Sequence, residues 1–147
     1  MAWRASRQHE GRPPTLAAVV AIPVSAGELI DKITILTLKT RRVRNARKRL
    51  MAAQELAMLR LAAGPVFGSG ETGAISTLIA SLKEVNGALW DVEDALRAME
   101  RDQDFGPAFI EAARKVYRLN DERARLKNEV NALAGCALRE VKEHPEY

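Results

Sequence analysis

A three- and four-residue apolar beat runs through most of this 147-residue chain, and a chain so patterned has few options other than packed helices. The first run is Leu29, Ile33, Leu36, Val43, Ala46, Leu50, Ala53 and Ala57, with Thr40 as its one polar step, and Gly64-Pro65 is placed to stop it. A second, more regular run is Ile75, Leu78, Leu82, Val85, Leu89, Val92, Leu96 and Met99. A third is Phe109, Ala113, Val116, Leu119, Arg123, Leu126, Val130 and Leu133, in which Arg123 is a charge on an otherwise apolar line.

The punctuation agrees with the beat. Ser25 is placed to cap a helix, with Glu28 as its capping-box partner and Val24 and Leu29 at the staple positions. Gly106-Pro107 reads as cap and first helical residue, Phe105 and Ile110 repeat the staple spacing, and Gly135 closes the last run. The prediction is an all-α fold, an elongated antiparallel three-helix bundle with helices over 26–62, 72–101 and 107–134. Residues 22–135 make the domain, 1–21 a flexible basic leader, and 136–147 a C-terminal tail. Helices of ~30 residues, each ~45 Å long, bury more of their narrow seams by pairing with a second copy, so a homo-oligomer is expected.

Composition narrows the class further. Apolar residues make up 47% and charged residues 29%, against only 5% aromatic, a balance that favours helix over sheet. The single cysteine, Cys136, excludes an internal disulfide and a CxxC site, and reads as a small core or tail residue. The net charge of +4 is concentrated in Arg41, Arg42, Arg44, Arg47, Lys48 and Arg49. These positions go round a helix and no aromatic is interleaved to stack on bases, so a solvated face is expected and nucleic acid is not. Arg4, Arg7 and Arg12 before LAAVVAIPV imitate a secretory signal, but its apolar part is short, and cleavage after Ala26 would remove the start of the first helix. No stretch approaches the ~20 apolar residues of a membrane span, and a cytoplasmic protein is the expectation.

Beside the seams runs a second line of residues, recurring at helical spacing. It comprises Glu28, Lys32, Ile35 and Lys39, then Asn86, Trp90, Glu93, Arg97 and Glu100, then Tyr117, Asn120, Ala124, Lys127 and Asn131. As structure, such a layer consists of ion pairs, with Glu93–Arg97 and Asp121–Arg125 at i, i+4. As function, it is a pocket for an anionic small molecule between helices. Lys32, Lys39, Arg97 and Lys127 would hold the anion, Trp90 and Tyr117 would wall it, Asn120 and Asn131 would add hydrogen bonds, and Glu93 or Asp94 would serve as acid or base. Glu28 and Asp31, with Glu93, Asp94 and Glu100, supply oxygens for a hard cation such as magnesium, but carboxylates at this spacing occur on any charged helix. His9 and His144 fall in the leader and the tail. No glycine-rich phosphate loop, nucleophile elbow or internal repeat is present in the sequence, so no cofactor or metal is assigned.

The blocks PVSAGELIDKITIL, LWDVEDALRAME and FIEAARKVYRLNDERARLKNEVN, one per predicted helix, resemble a family of small bacterial proteins of unknown function over residues 22–135. Members of that family are often encoded among surface polysaccharide and lipopolysaccharide genes, which implies a setting without a reaction. The resemblance singles out Glu28, Asp31 and Lys32, then Trp90, Glu93 and Asp94, then Tyr117, Asn120, Asp121, Arg123, Lys127 and Asn131. Thr37 stands where that family has an acidic residue, and the leader before Ile22 is an addition. The helical chorismate mutases and the all-α nucleotide pyrophosphohydrolases are similar in outline, but neither motif order is met. The expectation is a binding or assembly protein of the polysaccharide setting, with a small enzyme for an anionic or phosphorylated metabolite as the alternative.

Overall fold

The structure, a computed structural model, describes residues 19–67 and 73–145, so most of the expected leader and the linker residues 68–72 lie outside the described residues. There are four helices among them rather than the three expected: α1 (Ala26–Arg42), α2 (Ala46–Phe67), α3 (Gly73–Arg101) and α4 (Pro107–Leu133).

The single helix expected over 26–62 is therefore a hairpin of α1 and α2, and the turn falls inside the basic run. Val43 leaves the helix with φ −70° and ψ 122°, while its N–H still donates to the Lys39 carbonyl. Asn45 then starts the next helix, its Oδ1 accepting from the Lys48 N–H at 2.9 Å. Arg49 donates from Nη1 to the Val43 carbonyl at 3.0 Å and holds the turn closed. The apolar beat hid this break because both arms of a helical hairpin carry the same spacing. The phase did change. Leu50, Ala53 and Ala57, expected in the core, are exposed, whereas Ala52, Leu56 and Ala63 are buried. Nor does Gly64-Pro65 end the helix. Pro65 lies in the last turn of α2, where its missing N–H forgoes one intrahelical bond and the helix continues to Phe67.

The other boundaries match the predicted ones closely. Ser25 Oγ accepts from the Glu28 N–H at 3.2 Å. Gly106 is the N-cap of α4, with Pro107 in its first turn. Phe105 meets Phe109 edge to face, at 5.2 Å between ring centroids, while the expected partner Ile110 is exposed. At the far end Gly135 takes φ +64°, and the Cys136 N–H donates to the Asn131 carbonyl at 2.8 Å, the Schellman arrangement that satisfies a terminal carbonyl.

α1 is the central element. α3 and α4 form an antiparallel pair against one side of it, and α2 lies along the other. The main core joins Ala26 and Ile30 of α1, Leu82 of α3, and Leu126 and Val130 of α4, with Cys136 packed at its edge. Leu82 and Val130 are fully buried; burying a side chain of this kind stabilises the fold by roughly 1.5–3 kcal/mol. A smaller cluster of Leu36, Ala52 and Leu56 binds α2 to α1.

Candidate functional site

Where α1 crosses the α3–α4 pair, the core becomes polar. Asp31 is buried, and Arg123 closes on it with two hydrogen bonds, Nε to Oδ1 at 2.8 Å and Nη2 to Oδ2 at 2.5 Å. The buried Asn86 amide donates to Asp31 Oδ1 at 2.9 Å and to Thr34 Oγ1 at 2.8 Å. Thr34 in turn donates to the Asp31 carbonyl at 2.8 Å. The network therefore ties three helices together by directional bonds. A buried charge pair persists only when its remaining valences are satisfied, and here they are. The hydrogen bonds to Asp31 outweigh the cost of burial and hold the Arg123 pKa above its ordinary value.

Directly above this network opens a cleft of ≈ 330 Å³, lined by Ile35 of α1, by Asn86, Leu89, Trp90, Glu93, Asp94 and Arg97 of α3, and by Asn120 and Arg123 of α4. Arg123 joins the two levels, since its Nη1 faces Asn120 Oδ1 at 3.4 Å while its other nitrogens hold Asp31. Trp90 is held from the α1 side by the Arg42 guanidinium, 5.9 Å from its ring centroid, and Arg42 itself pairs with Asp91 at 2.5 Å. At the mouth Arg97 bonds Glu93 at 3.0 Å, the i, i+4 pair expected from spacing, and lies 3.9 Å from Asp94.

Of the ten residues assigned to the anion pocket from the sequence, Trp90, Glu93, Asp94, Arg97 and Asn120 come together in this cleft. The other five do not. Lys32 pairs with Glu55 of α2 at 2.6 Å, and Lys39 lines a groove with Lys48 and Glu55 between α1 and α2. Tyr117 is exposed on α4, one turn from Asn120 and outside the cleft lining. Lys127 and Asn131 lie at the N-terminus of α1, where they anchor it to α4. Lys127 pairs with Glu28 at 2.8 Å and with Glu140 of the tail. Asn131 Oδ1 accepts from the Gly27 N–H at 2.6 Å. The approach is so close that a Cβ on Gly27 would stand 2.3 Å from the Lys127 carbonyl oxygen.

The tail is part of this anchor. Asn128 exchanges hydrogen bonds with the Glu140 backbone, at 3.0 and 3.1 Å, and Lys142 reaches the Asn120 carbonyl at 3.0 Å and Asp121 at 3.3 Å. Asp121 thus has Lys142 beside it, whereas Arg125, its expected partner, bonds Glu122 and Glu129. The oxygens of the magnesium reading are dispersed: Glu28 holds Lys127 and Asp31 holds Arg123. Among the described residues no cluster of three or more metal-ligating side chains forms.

Sequence reasoning missed Thr34 and the pairing of Asp31 with Arg123. The signal was present in Arg123, a charge within an apolar seam, which must have a buried partner on a facing helix.

The fold and the cleft define a class: an all-helical protein with an open, mixed polar cleft on a buried ion-pair network. The chain belongs to a family of unknown function, DUF6165, whose model matches residues 20–144. No curated protein and no solved structure matches it. No described helix is long and apolar enough to cross a membrane.

Proposed function

We propose that the protein is a cytoplasmic binding protein that takes a small, hydroxyl-rich ligand of the sugar type into the Trp90 cleft. Its place of action on this reading is beside the enzymes that build cell-surface polysaccharide, the setting implied by the resemblance of its three sequence blocks. The carrying observation is the cleft's composition. Two carboxylates, Glu93 and Asp94, face the Arg97 guanidinium and Arg123, whose charge Asp31 already neutralises, around an indole and two amides. Such a set offers donors, acceptors and an apolar face without net attraction for an anion. Lys32, Lys39 and Lys127, which a strongly anionic metabolite would require, lie elsewhere. That separation weakens the alternative of an enzyme with Glu93 or Asp94 as acid or base.

The test is a thermal-melt screen against free sugars, nucleotide sugars and sugar phosphates, with and without magnesium. A ligand at ~100 times its Kd stabilises the fold by ~2.7 kcal/mol, several degrees for a chain of this size. Trp90→Ala and Asn120→Ala should abolish the shift. A flat response across the panel, or a shift that survives both substitutions, would remove the reading.

A second reading, self-association, is favoured by α2. Its inner face packs on α1 through Ala52 and Leu56, yet on its outer side Leu50, Met51, Met58 and Leu61 remain 59%, 60%, 45% and 80% exposed. A helix apolar on both sides is expected to be covered, and a second copy of α2 offers the same row of Leu and Met. Light scattering should find dimers in the wild type and monomers in a Leu50→Glu, Leu61→Glu variant. Monomers alone at high micromolar concentration would exclude it.

A further inference from the structure

α2 leans on α1 and leaves a groove of ≈ 500 Å³ between itself and α3, bridged at one end where Phe67 packs against the main core. This groove shares no lining residue with the Trp90 cleft. Its floor is apolar, from Ile33, Ile79 and Phe67, and three cations stand around it, Arg41 of α1, Arg60 of α2 and Lys83 of α3. Among the described residues no carboxylate lines it and none of the three cations has an ion-pair partner. Four cations elsewhere between the helices are matched, Lys32 with Glu55, Arg42 with Asp91, Arg123 with Asp31 and Lys127 with Glu28, whereas Lys39 and Lys48 in the α1–α2 groove have no ion pair among the described residues. Arg41 and Lys83 also border an adjoining groove whose acids are Glu84 and Asp91. Asp91 is taken by Arg42, so among the described residues Glu84 is the one carboxylate of that groove left to Arg41 and Lys83.

Like charges gathered from three helices repel one another, and an anion among them would relieve that repulsion. A free inorganic anion would satisfy the charges and leave the floor wetted, whereas an apolar tail on the same anion removes that floor from water. We infer that the groove between α1, α2 and α3 is a binding site for a single-tailed anionic amphiphile, its carboxylate or phosphate head held by Arg41, Arg60 and Lys83 and its tail laid over Ile33, Ile79 and Phe67. The volume falls in the range of ~300–1,000 Å³ usual for small-molecule sites.

Isothermal titration of the full chain decides the matter, using dodecyl phosphate, dodecanoate, dodecyl maltoside and inorganic phosphate, each detergent below its micellar concentration. Both anionic amphiphiles should bind with one per chain, at least ~10-fold tighter than the maltoside, while inorganic phosphate alone should not register. Arg60→Glu with Lys83→Glu should weaken the anionic probes ~10-fold or more and leave the maltoside unchanged; Arg60→Gln with Lys83→Gln gives the same comparison without added repulsion, should the reversal variant not fold. Equal binding of anionic and neutral heads would show non-specific apolar uptake and overturn the proposal. So would inorganic phosphate binding as tightly as the amphiphiles, or anionic binding indifferent to both variants. Dodecyl phosphate binding without dodecanoate would restrict the head to phosphate; the reverse would restrict it to carboxylate.

Discussion

Arg123 of α4 grips both oxygens of Asp31 on α1, at 2.8 and 2.5 Å, across 92 residues of chain. The pair joins the hairpin of α1 and α2 to the α3–α4 pair at the level where the core meets the cleft. Asp31 is 2% exposed, so its charge has no access to water that could replace the guanidinium.

Removing one partner should therefore cost far more than removing both. Arg123→Met leaves the Asp31 carboxylate buried and unpaired, and is expected to destabilise by ~3–5 kcal/mol. Arg123→Lys supplies charge without the fork and should recover only part of that loss. The double variant Asp31→Leu, Arg123→Met should unfold at higher denaturant than either single one. Urea melts of the wild type, Asp31→Leu, Arg123→Met and the double variant measure this; additive losses would show that the two residues are not coupled.

Gly27 and Gly64 should respond to alanine differently. At Gly27 the new Cβ meets the Lys127 carbonyl oxygen at 2.3 Å, backbone that cannot swing aside, so α1 must move off α4 at a cost of ~1–3 kcal/mol. At Gly64, inside α2, no neighbouring element lies within 4 Å, but the ring of Pro65 disfavours a Cβ on the helical residue before it, which offsets the usual helix gain of ~0.4–1 kcal/mol and should leave alanine near neutral. Chemical denaturation of the two variants checks the contrast.

Asn45→Ala tests the turn that divides the expected first helix. The substitution removes the Oδ1 acceptor for the Lys48 N–H and should cost ~1 kcal/mol, while Asn45→Asp, which keeps an acceptor, should be near neutral. If Asn45→Ala is neutral too, the cap contributes nothing to the hairpin.

Lys127 links stability to alkaline pH. Burial opposes its charge, but hydrogen bonds to Glu140 and Glu28 outweigh that effect, so its folded pKa is raised above the ordinary lysine value. A raised pKa in the folded state means the stabilisation is complete below the unfolded pKa of ~10.4 and is lost as pH rises through the folded value. Wild type should therefore lose its advantage over Lys127→Met between neutral pH and the far side of that range. Denaturation at pH 8 and at strongly alkaline pH gives the comparison; a constant difference would mean that Lys127 acts only through packing.

The amino-acid sequence by itself determined the helical class, both ends of α3 and α4, the Ser25 and Gly106 caps and the Gly135 stop, because spacing and capping are local properties of a few neighbouring residues. It also determined which faces of α3 and α4 carry Trp90, Glu93, Arg97 and Asn120, since a helix places residues three and four apart on one side. Tertiary structure alone decided the rest. The same beat is written by one long helix and by two antiparallel ones, and only the seating of Leu36 against Ala52 and Leu56 distinguishes them. Local spacing likewise contains no rotation of one helix about its axis relative to another. That rotation sent Arg123 to Asp31 and Lys127 to Glu28, and so divided the expected polar stripe into a cleft, an anchor and a solvated rim.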